Sequence, residues 1–303
     1  MKVLLTGATG FVGSHVAKLL VQEGCQVYAL VRPTSNTWRI EDTLSSIHVL
    51  RGDLYEEPKS WFEGIKPDLC IHLAWYVEPG KYLTSPENPR LVSATLSLAS
   101  HLVGAGCKRF IGVGTCIEYD TDLGCLSESS ATKPRSLYAA SKLALCLVLE
   151  QLARVSKIRV TWLRLFYLYG PFEDKRRLMA SVICSLLKNQ TVETLAGEYT
   201  RDYLHIEDVA AAIWEVAKSN LSGVVNIGSG RAVTVREIVM KVGEIMGRKE
   251  RIKLGSLLKN STEPMFVCAD NQRLTKNTRW SPRFDLDKGL SHTIDWWRAN
   301  GSF

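Results

Sequence analysis

The chain has 303 residues, of which 46% are hydrophobic and 23% charged, and its formal net charge is +7. This composition is typical of a globular protein with a sizeable core, and it excludes a disordered or fibrous chain. Basic residues are spread along the sequence, and no recognised nucleic-acid-binding motif accompanies them. We therefore predict no nucleic-acid partner, because an acidic small substrate accounts equally well for the positive charge.

The eight cysteines show no Cys-x-x-Cys pair and no metal-ligand spacing with histidine, so no metal site is predicted. Several lie in apolar runs, which indicates reduced, buried thiols and a cytoplasmic location. No signal peptide is predicted at the N-terminus. The most apolar helical stretch, residues 143–152, is too short to cross a bilayer, so no membrane partner is predicted.

Short apolar runs alternate with helical patterns over the first half of the chain. Predicted strands cover 3–5, 27–31, 47–50, 69–74, 109–113 and 158–165, and predicted helices cover 11–23, 88–104 and 136–155. Continuously apolar strands such as 27–31 indicate burial on both faces, as in a parallel sheet. The repeated β-α-β order predicts an α/β fold with a doubly wound parallel (Rossmann) sheet.

After Gly170 the order of elements changes. A basic helix is predicted over 177–188, a strand over 224–227, and helices over 235–246 and 286–297. We predict a Rossmann domain over 1–170 with a return near 201–228. A smaller α/β substrate-binding domain is predicted over 171–303.

A glycine-rich turn joins the first strand to the first helix. Gly7 allows a sharp turn off the strand, Gly10 allows backbone to approach a pyrophosphate, and Gly13 allows the helix to pack close to the sheet. Free N–H groups at the start of the helix, with its dipole behind them, attract the phosphates. This strand–turn–helix context predicts a dinucleotide site.

The same stretch, TGATGFVGSHV, resembles the extended short-chain dehydrogenase/reductase superfamily, whose members are NAD(P)-dependent nucleotide-sugar epimerases, dehydratases and reductases. Later stretches extend this resemblance over most of the chain. The resemblance implies cofactor contacts from Gly7, Thr9, Gly10, Phe11, Val12, Gly13, Asp53, Leu54, Leu73, Ala74, Tyr138 and Lys142. His72, in the fourth strand, is interpreted as a core histidine.

The residue after the second strand indicates which cofactor is used. NAD-binding folds of this type place a carboxylate there, which hydrogen-bonds the adenosine ribose. Here the strand ends at Val31 and the next residue is Arg32, which attracts the additional phosphate of NADP and can stack on adenine. We therefore predict NADP(H) as the cofactor.

Tyr138 and Lys142 form a Tyr-x-x-x-Lys pair, which a helix places on one face. The phenol can exchange a proton with a carbonyl or alcohol oxygen, and a nearby ammonium favours its ionised form. By the resemblance, the lysine also holds the nicotinamide ribose and Thr115 hydrogen-bonds the same substrate oxygen. The predicted catalytic residues are Thr115, Tyr138 and Lys142.

One departure from the family pattern bears on the reaction. The 4,6-dehydratases of this family carry an acid/base pair, typically Asp-Glu, directly after that threonine, and they use it to eliminate water. This chain has Cys116 and Ile117 there, and Glu118 stands one place late. Water elimination is therefore disfavoured.

The second half carries substrate motifs of the resembling family. Residues 164–171 match Arg-x-x-Asn-x-Tyr-Gly-Pro, except that Tyr167 replaces the asparagine. Arg201 begins a segment whose arginine grips the nucleotide diphosphate in the family, and residues 226–230 also match. Substrate contacts are thus predicted from Thr115, Tyr167 and Arg201. A second family arginine is missing near Asn260, where Lys259 is a candidate replacement.

The resemblance implies an NADPH-dependent reduction of a 4-keto group on a nucleotide-linked deoxysugar. The alternatives are a C4 epimerase that retains NAD, an NADPH-dependent reductase of a non-sugar ketone, and a non-catalytic NADP-sensing protein. Family members pair through two helices, here about 88–104 and 136–155, so we predict a homodimer.

Overall fold

The computed structural model describes residues 1–56, 64–194, 197–255 and 263–301. Lys259 and Asn260, considered above for a substrate contact, lie outside the described residues.

A seven-stranded parallel sheet forms the centre of the first half. Its strands are β1 (Lys2–Thr6), β2 (Gln26–Val31), β3 (His48–Arg51), β4 (Leu69–His72), β5 (Arg109–Thr115), β7 (Arg159–Leu165) and β11 (Gly223–Ile227). Their order across the sheet is β3-β2-β1-β4-β5-β7-β11. Val3 and Leu5 are buried on one face of β1 and Leu4 on the other, as expected for a strand covered on both sides.

Helices cover both faces of this sheet. α1 (Phe11–Gln22) packs beside α5 (Ile206–Lys218) on one face, and α2 (Glu87–Gly104) packs beside α3 (Leu137–Val155) on the other. A 3-10 segment, Trp38–Ser46, lies against α1. The predicted doubly wound Rossmann sheet is therefore confirmed.

A second, five-stranded sheet stands apart from the first. It contains β6 (Cys125–Leu126), β8 (Tyr167–Tyr169), β10 (Thr200–His205), β12 (Ala232–Thr234) and β14 (Phe266–Ala269). β9 (Val192–Thr194) pairs with β13 (Ile252–Leu254). The remaining helices are α4 (Leu178–Leu187), α6 (Val235–Ile245), α7 (Gln272–Asn277) and α8 (Leu286–Asn300). Apolar side chains from α4, α6 and α8 share one core.

The chain passes between the two sheets more than once. β11 belongs to the seven-stranded sheet, although β10 before it and β12 after it belong to the five-stranded sheet. β6 is the reverse case, since it precedes α3 in sequence but pairs with β14. The boundary at residue 170 stays a prediction, because the sheets interleave in sequence.

The direction of strand order reverses between β1 and β4. β2 and β3 lie on one side of β1, and β4 and β5 lie on the other. In open α/β sheets such a reversal opens a crevice at the carboxyl ends of the strands, where ligands bind. No helix in the described ranges combines the length and apolarity that a bilayer crossing requires.

Candidate active site

The glycine turn lies at this crevice and has no room for side chains. Gly7 has φ +75°, and a Cβ there would stand 2.7 Å from the Ala74 nitrogen. A Cβ on Gly13 would overlap the Gly7 carbonyl, so Gly13 allows α1 to pack against the turn itself rather than against the sheet. Gly10 precedes α1 without a side-chain cap, which leaves the first N–H groups free for phosphates. These features fit a dinucleotide.

The predicted cofactor residues come together along the carboxyl edge of the sheet. Arg32 follows β2, Asp53 and Leu54 follow β3, and Leu73 and Ala74 follow β4. Thr9 lies in the glycine turn, and Phe11 and Val12 form the first turn of α1. The Asp53 carboxylate accepts from the Tyr55 backbone at 3.2 Å.

Arg32 is exposed at this edge. No carboxylate in the described part of the chain forms an ion pair with the Arg32 guanidinium. The Arg32 backbone carbonyl accepts a hydrogen bond from the Ser35 amide. The guanidinium is therefore available for a phosphate.

His72 is buried in β4 and has a hydrogen-bond partner on each ring nitrogen. The Thr95 hydroxyl donates to the Leu91 carbonyl at 2.7 Å, so it accepts from His72 Nε2–H at 3.0 Å. His72 Nδ1 then accepts from the Thr6 hydroxyl at 2.8 Å, and Thr6 Oγ1 accepts from the Ala74 amide at 3.2 Å. Burial lowers the pKa of His72 to about 3, with Lys142 contributing. His72 is a neutral core histidine that fixes the turn after β4.

Tyr138 and Lys142 lie on the buried face of α3, which begins at the capping residue Ser136. The Tyr138 ring meets the Tyr82 ring edge-on at 4.9 Å, and its hydroxyl has no hydrogen bond among the described residues. Burial raises the pKa of the Tyr138 phenol, and Arg177 opposes that rise. The sequence predicts a lowered pKa for this phenol, but the Lys142 Nζ lies 5.9 Å from the centre of the Tyr138 ring. The phenol therefore stays protonated at neutral pH.

Lys142 has two partners that position its ammonium. Its Nζ donates to the Val113 carbonyl of β5 at 2.7 Å and lies 3.6 Å from the centre of the Trp75 ring. Burial lowers the pKa of Lys142 to about 7, and Glu118 opposes this. The aromatic face therefore supports a charge that the interior disfavours.

Trp75 is a site residue that sequence reasoning missed. Its indole N–H donates to Asn88 Oδ1 at 2.9 Å, and the Asn88 amide donates to the Tyr82 and Ser85 carbonyls. Trp75 also meets the Tyr138 ring at 6.5 Å. Its position in the sequence could have indicated this, because Trp75 directly follows Leu73 and Ala74, which are predicted to contact the cofactor.

Thr115 ends β5 and begins a short 3-10 helix, Cys116–Glu118. Its hydroxyl accepts from the Ile117 amide at 3.4 Å, which is a long contact that leaves the hydroxyl able to bind elsewhere. Its backbone amide donates to Glu118 Oε1 at 2.8 Å. The capping contacts fix the end of β5 near α3.

Glu118 is completely buried and serves as a structural anion. Besides the Thr115 amide, it accepts from Trp162 Nε1 at 3.2 Å and from Arg164 Nε at 2.7 Å. The Arg164 guanidinium also lies 4.1 Å from the Tyr119 ring centre. Because Trp162 and Arg164 of β7 donate hydrogen bonds to this carboxylate, it is not free to exchange protons with a substrate.

The two positions after Thr115 carry no efficient proton-transfer group. Burial raises the pKa of the Cys116 thiol to about 12, with Asp202 contributing, so the thiol stays protonated at neutral pH. Ile117 is apolar. Neither of these two positions therefore supplies an acid/base pair for water elimination.

Arg201 and Tyr167 come together on neighbouring strands of the second sheet. The Arg201 guanidinium carbon lies 5.3 Å from the Tyr167 ring centre and 5.1 Å from that of Tyr199. Its nitrogens donate to the Thr200 carbonyl at 2.9 Å and to Glu263 at 3.4 Å. The side chain is thus a buried cation held by one partly exposed carboxylate.

Asp202, the residue after Arg201, links the segment that begins at Arg201 to the segment of residues 226–230. Buried Asp202 accepts from the amides of Ser229 and Gly230, and from the Ala269 amide of β14. Asp202 therefore ties β10 to the turn after β11 and to β14, which holds Arg201 in place.

The fold and this arrangement define a dinucleotide-binding α/β enzyme with a Tyr–Lys pair at its cleft. The sequence model of the "NAD dependent epimerase/dehydratase family" matches residues 3–228, and the chain belongs to that family.

Similar proteins include both reductase and epimerase members. CDP-abequose synthase of Salmonella muenchen is 24% identical, with 97% of each chain covered. The dTDP-4-dehydro-6-deoxy-D-allose reductase of Streptomyces bikiniensis is 25% identical, with 98% of this chain and 96% of that one covered. The structure of Thermotoga maritima UDP-glucose 4-epimerase with UDP-glucose superposes with a TM-score of 0.89, at 25% identity over 99% of both chains. The chain is thus similar to nucleotide-sugar enzymes of more than one reaction type.

Proposed function

We propose that this protein reduces a 4-keto group on a nucleotide-linked deoxysugar and uses NADPH. The observation that carries the proposal is Arg32, whose exposed guanidinium follows β2 and forms no ion pair within the described ranges. A cation there suits a 2′-phosphate and replaces the carboxylate that would bind the ribose of NAD. NADPH is a cosubstrate that brings reducing power to each turnover, which suits a net reduction.

The residues of the cleft are suited to the chemistry of such a reduction. When bound, the reduced nicotinamide supplies the hydride. Tyr138 is held in its protonated form, so it can give a proton to the oxygen that forms at C4. Thr115 can hydrogen-bond that oxygen, and Lys142 can hold the ribose beside it. Arg201 provides a cation for the diphosphate.

A C4 epimerase is the second candidate, and the Thermotoga maritima structure is the observation that favours it. The deciding experiment incubates the purified protein with NADPH and a panel of nucleotide-4-keto-deoxysugars, and in parallel with NAD and UDP-glucose. Stoichiometric NADPH oxidation with a hydroxyl formed at C4 supports the ketoreductase. Interconversion of the sugars without net cofactor turnover would establish the epimerase.

We expect Arg32→Asp to weaken NADP binding by about 10- to 100-fold, because it removes a charge-assisted contact to the phosphate. It should improve NAD binding, since it adds an acceptor for the ribose hydroxyls. Fluorescence titration with each cofactor measures both effects. Arg279→Asp is the matched control, because Arg279 is also exposed. Unchanged NADP affinity in Arg32→Asp would reject the assignment.

We also propose a homodimer through α2 and α3. Leu147 and Val148 are about half exposed on α3, which is unusual for neighbouring apolar side chains on a helix. Leu147→Asp should give a monomer at micromolar concentration by light scattering. Leu123→Asp is the control, because Leu123 is 55% exposed against 54% for Leu147 but belongs to the 3-10 segment Thr121–Leu123 and not to either helix. A wild-type monomer, or a dimer that survives Leu147→Asp, would contradict this interface.

A further inference from the structure

Lys142 is a buried cation that has no carboxylate partner within the described ranges. Only 4% of the residue is exposed, and its ammonium has one hydrogen-bond acceptor there, the Val113 carbonyl at 2.7 Å. Arg164 is the internal comparison, since that similarly buried cation pairs with Glu118 at 2.7 Å. Buried charges are normally paired, so the charge on Lys142 requires another source of stabilisation.

The face of the Trp75 indole is in the position to provide it. Lys142 Nζ lies 3.6 Å from the centre of that ring, against 5.9 Å from the ring centres of Tyr138 and Trp162. The face of an indole is the negative part of its quadrupole, and it attracts a cation most strongly where water is excluded. The Trp75 ring and the Val113 carbonyl together hold the ammonium in one place.

Asn88 fixes the orientation of this ring. Asn88 is fully buried, and its amide N–H groups donate to the Tyr82 carbonyl at 2.7 Å and to the Ser85 carbonyl at 3.0 Å. Its Oδ1 therefore faces the other way and accepts from the Trp75 indole N–H at 2.9 Å. The indole cannot rotate away from the lysine without breaking this buried hydrogen bond.

We propose that Trp75 is a positioning residue, which keeps Lys142 charged at neutral pH and holds its ammonium in place for the nicotinamide ribose. The ribose as the target rests on the proposed function, whereas the contact between the ring and the ammonium does not. Trp75 acts through Lys142 and not on the reacting atoms.

Three further titratable groups influence or adjoin this ammonium. Glu118 favours the charge on Lys142, although its own ion pair is with Arg164. His72 is neutral, and the charge on Lys142 contributes to its low pKa. Tyr138, one turn earlier on α3, stays protonated because burial raises its pKa. Burial lowers the pKa of Lys142 to about 7, so a modest loss of support is enough to discharge it at neutral pH.

The test is a pH titration of the protein without cofactor, in which isotopically labelled lysine Cε atoms are followed by NMR and Lys142→Met identifies the Lys142 signal. We expect Trp75→Leu to lower the midpoint of that signal by about one pH unit, because a desolvated cation–π contact is lost. Trp75→Phe keeps an aromatic face and should retain most of the wild-type midpoint. Trp38→Leu is the matched control, because Trp38 also lies over a cation, Arg39, and should leave the Lys142 signal unchanged.

Incorporation of fluorinated tryptophan is a second test, which keeps the shape of the ring. Fluorine withdraws electron density from the face of the indole, so the Lys142 midpoint should fall in the wild type. It should fall much less in Trp75→Phe, where this ring carries no fluorine. Equal midpoints for the Trp75→Leu and Trp75→Phe variants, or no response to fluorination, would indicate packing alone and overturn the inference.

Activity separates this inference from the proposed function. The rate with NADPH and a nucleotide-4-keto-deoxysugar should fall as the pH rises through the Lys142 midpoint. In Trp75→Leu that fall should occur about one pH unit lower. Shifted midpoints without reduction of any ketosugar would support the role of Trp75 and reject the ketoreductase. Reduction of a ketosugar with an unshifted midpoint in Trp75→Leu would reject only the role of Trp75.

Discussion

We expect Tyr138→Phe to lower kcat by about 10²- to 10⁴-fold, the usual loss when a positioned proton donor is removed. NADPH affinity should stay nearly unchanged. The Tyr138 hydroxyl forms no hydrogen bond among the described residues, and the ring contacts with Tyr82 and Trp75 survive in phenylalanine. The substitution therefore removes an interaction made chiefly in the transition state, which appears in kcat rather than in binding.

Steady-state rates with a nucleotide-4-keto-deoxysugar and NADPH titrations provide the measurement. Tyr28→Phe is the control and should leave the rate unchanged, since the Tyr28 ring of β2 stacks on His48 of β3 and has no assigned part in the chemistry. Thr115→Val should lose less than Tyr138→Phe, because only one hydrogen bond to the substrate oxygen is lost while the donor remains. Retention of more than about a tenth of the wild-type rate by Tyr138→Phe would assign the proton to another group.

The second large effect concerns stability. We expect Glu118→Gln to reduce the free energy of unfolding by about 3–5 kcal/mol, because it leaves the buried Arg164 charge without its anion. Glu118 is fully buried and receives three donors, so solvent cannot replace the lost charge. Since natural domains are stable by only about 5–15 kcal/mol, this loss is a large share of the total.

Urea unfolding of wild type and variant measures the loss, with the exposed Glu41→Gln as a control expected within about 0.5 kcal/mol. Adding Arg164→Gln to Glu118→Gln should recover part of the stability, since it removes the unpaired charge. A stable Glu118→Gln protein that had lost ketoreduction would instead make Glu118 a chemical participant.

Local patterns were sufficient to predict the central sheet and the Tyr–Lys pair. The glycine turn and the continuously apolar strands indicate a buried parallel sheet, and a four-residue spacing on a helix brings Tyr138 and Lys142 to one face. The sequence predicts none of the strands β6, β8, β9, β10, β12, β13 and β14 and neither of the helices α5 and α7. Strands of two or three residues, such as β6 and β8, form only through pairing with distant segments. Sequence spacing also placed Glu118 next to the site, but only tertiary structure shows that Trp162 and Arg164 occupy it.

Trp75 and Glu173 illustrate a different limit. Their surroundings depend on distant segments: the Lys142 ammonium lies over the Trp75 ring, and Glu173 Oε2 has no hydrogen bond to any described residue. Neither feature produces a periodic pattern in the sequence. A residue's lack of partners, in particular, can be recognised only once every neighbour has been placed.

The interleaving of the two sheets restricts how this enzyme can be re-engineered by recombination. A chimera joined at a single crossover near residue 170 would take β11 from one parent and the other six strands of its sheet from another, and it would separate β6 from β14 in the same way. Transfer of sugar preference between relatives would therefore need several coordinated exchanges, at least around 116–135 and on both sides of β11. Grafting individual side chains disturbs fewer of these junctions.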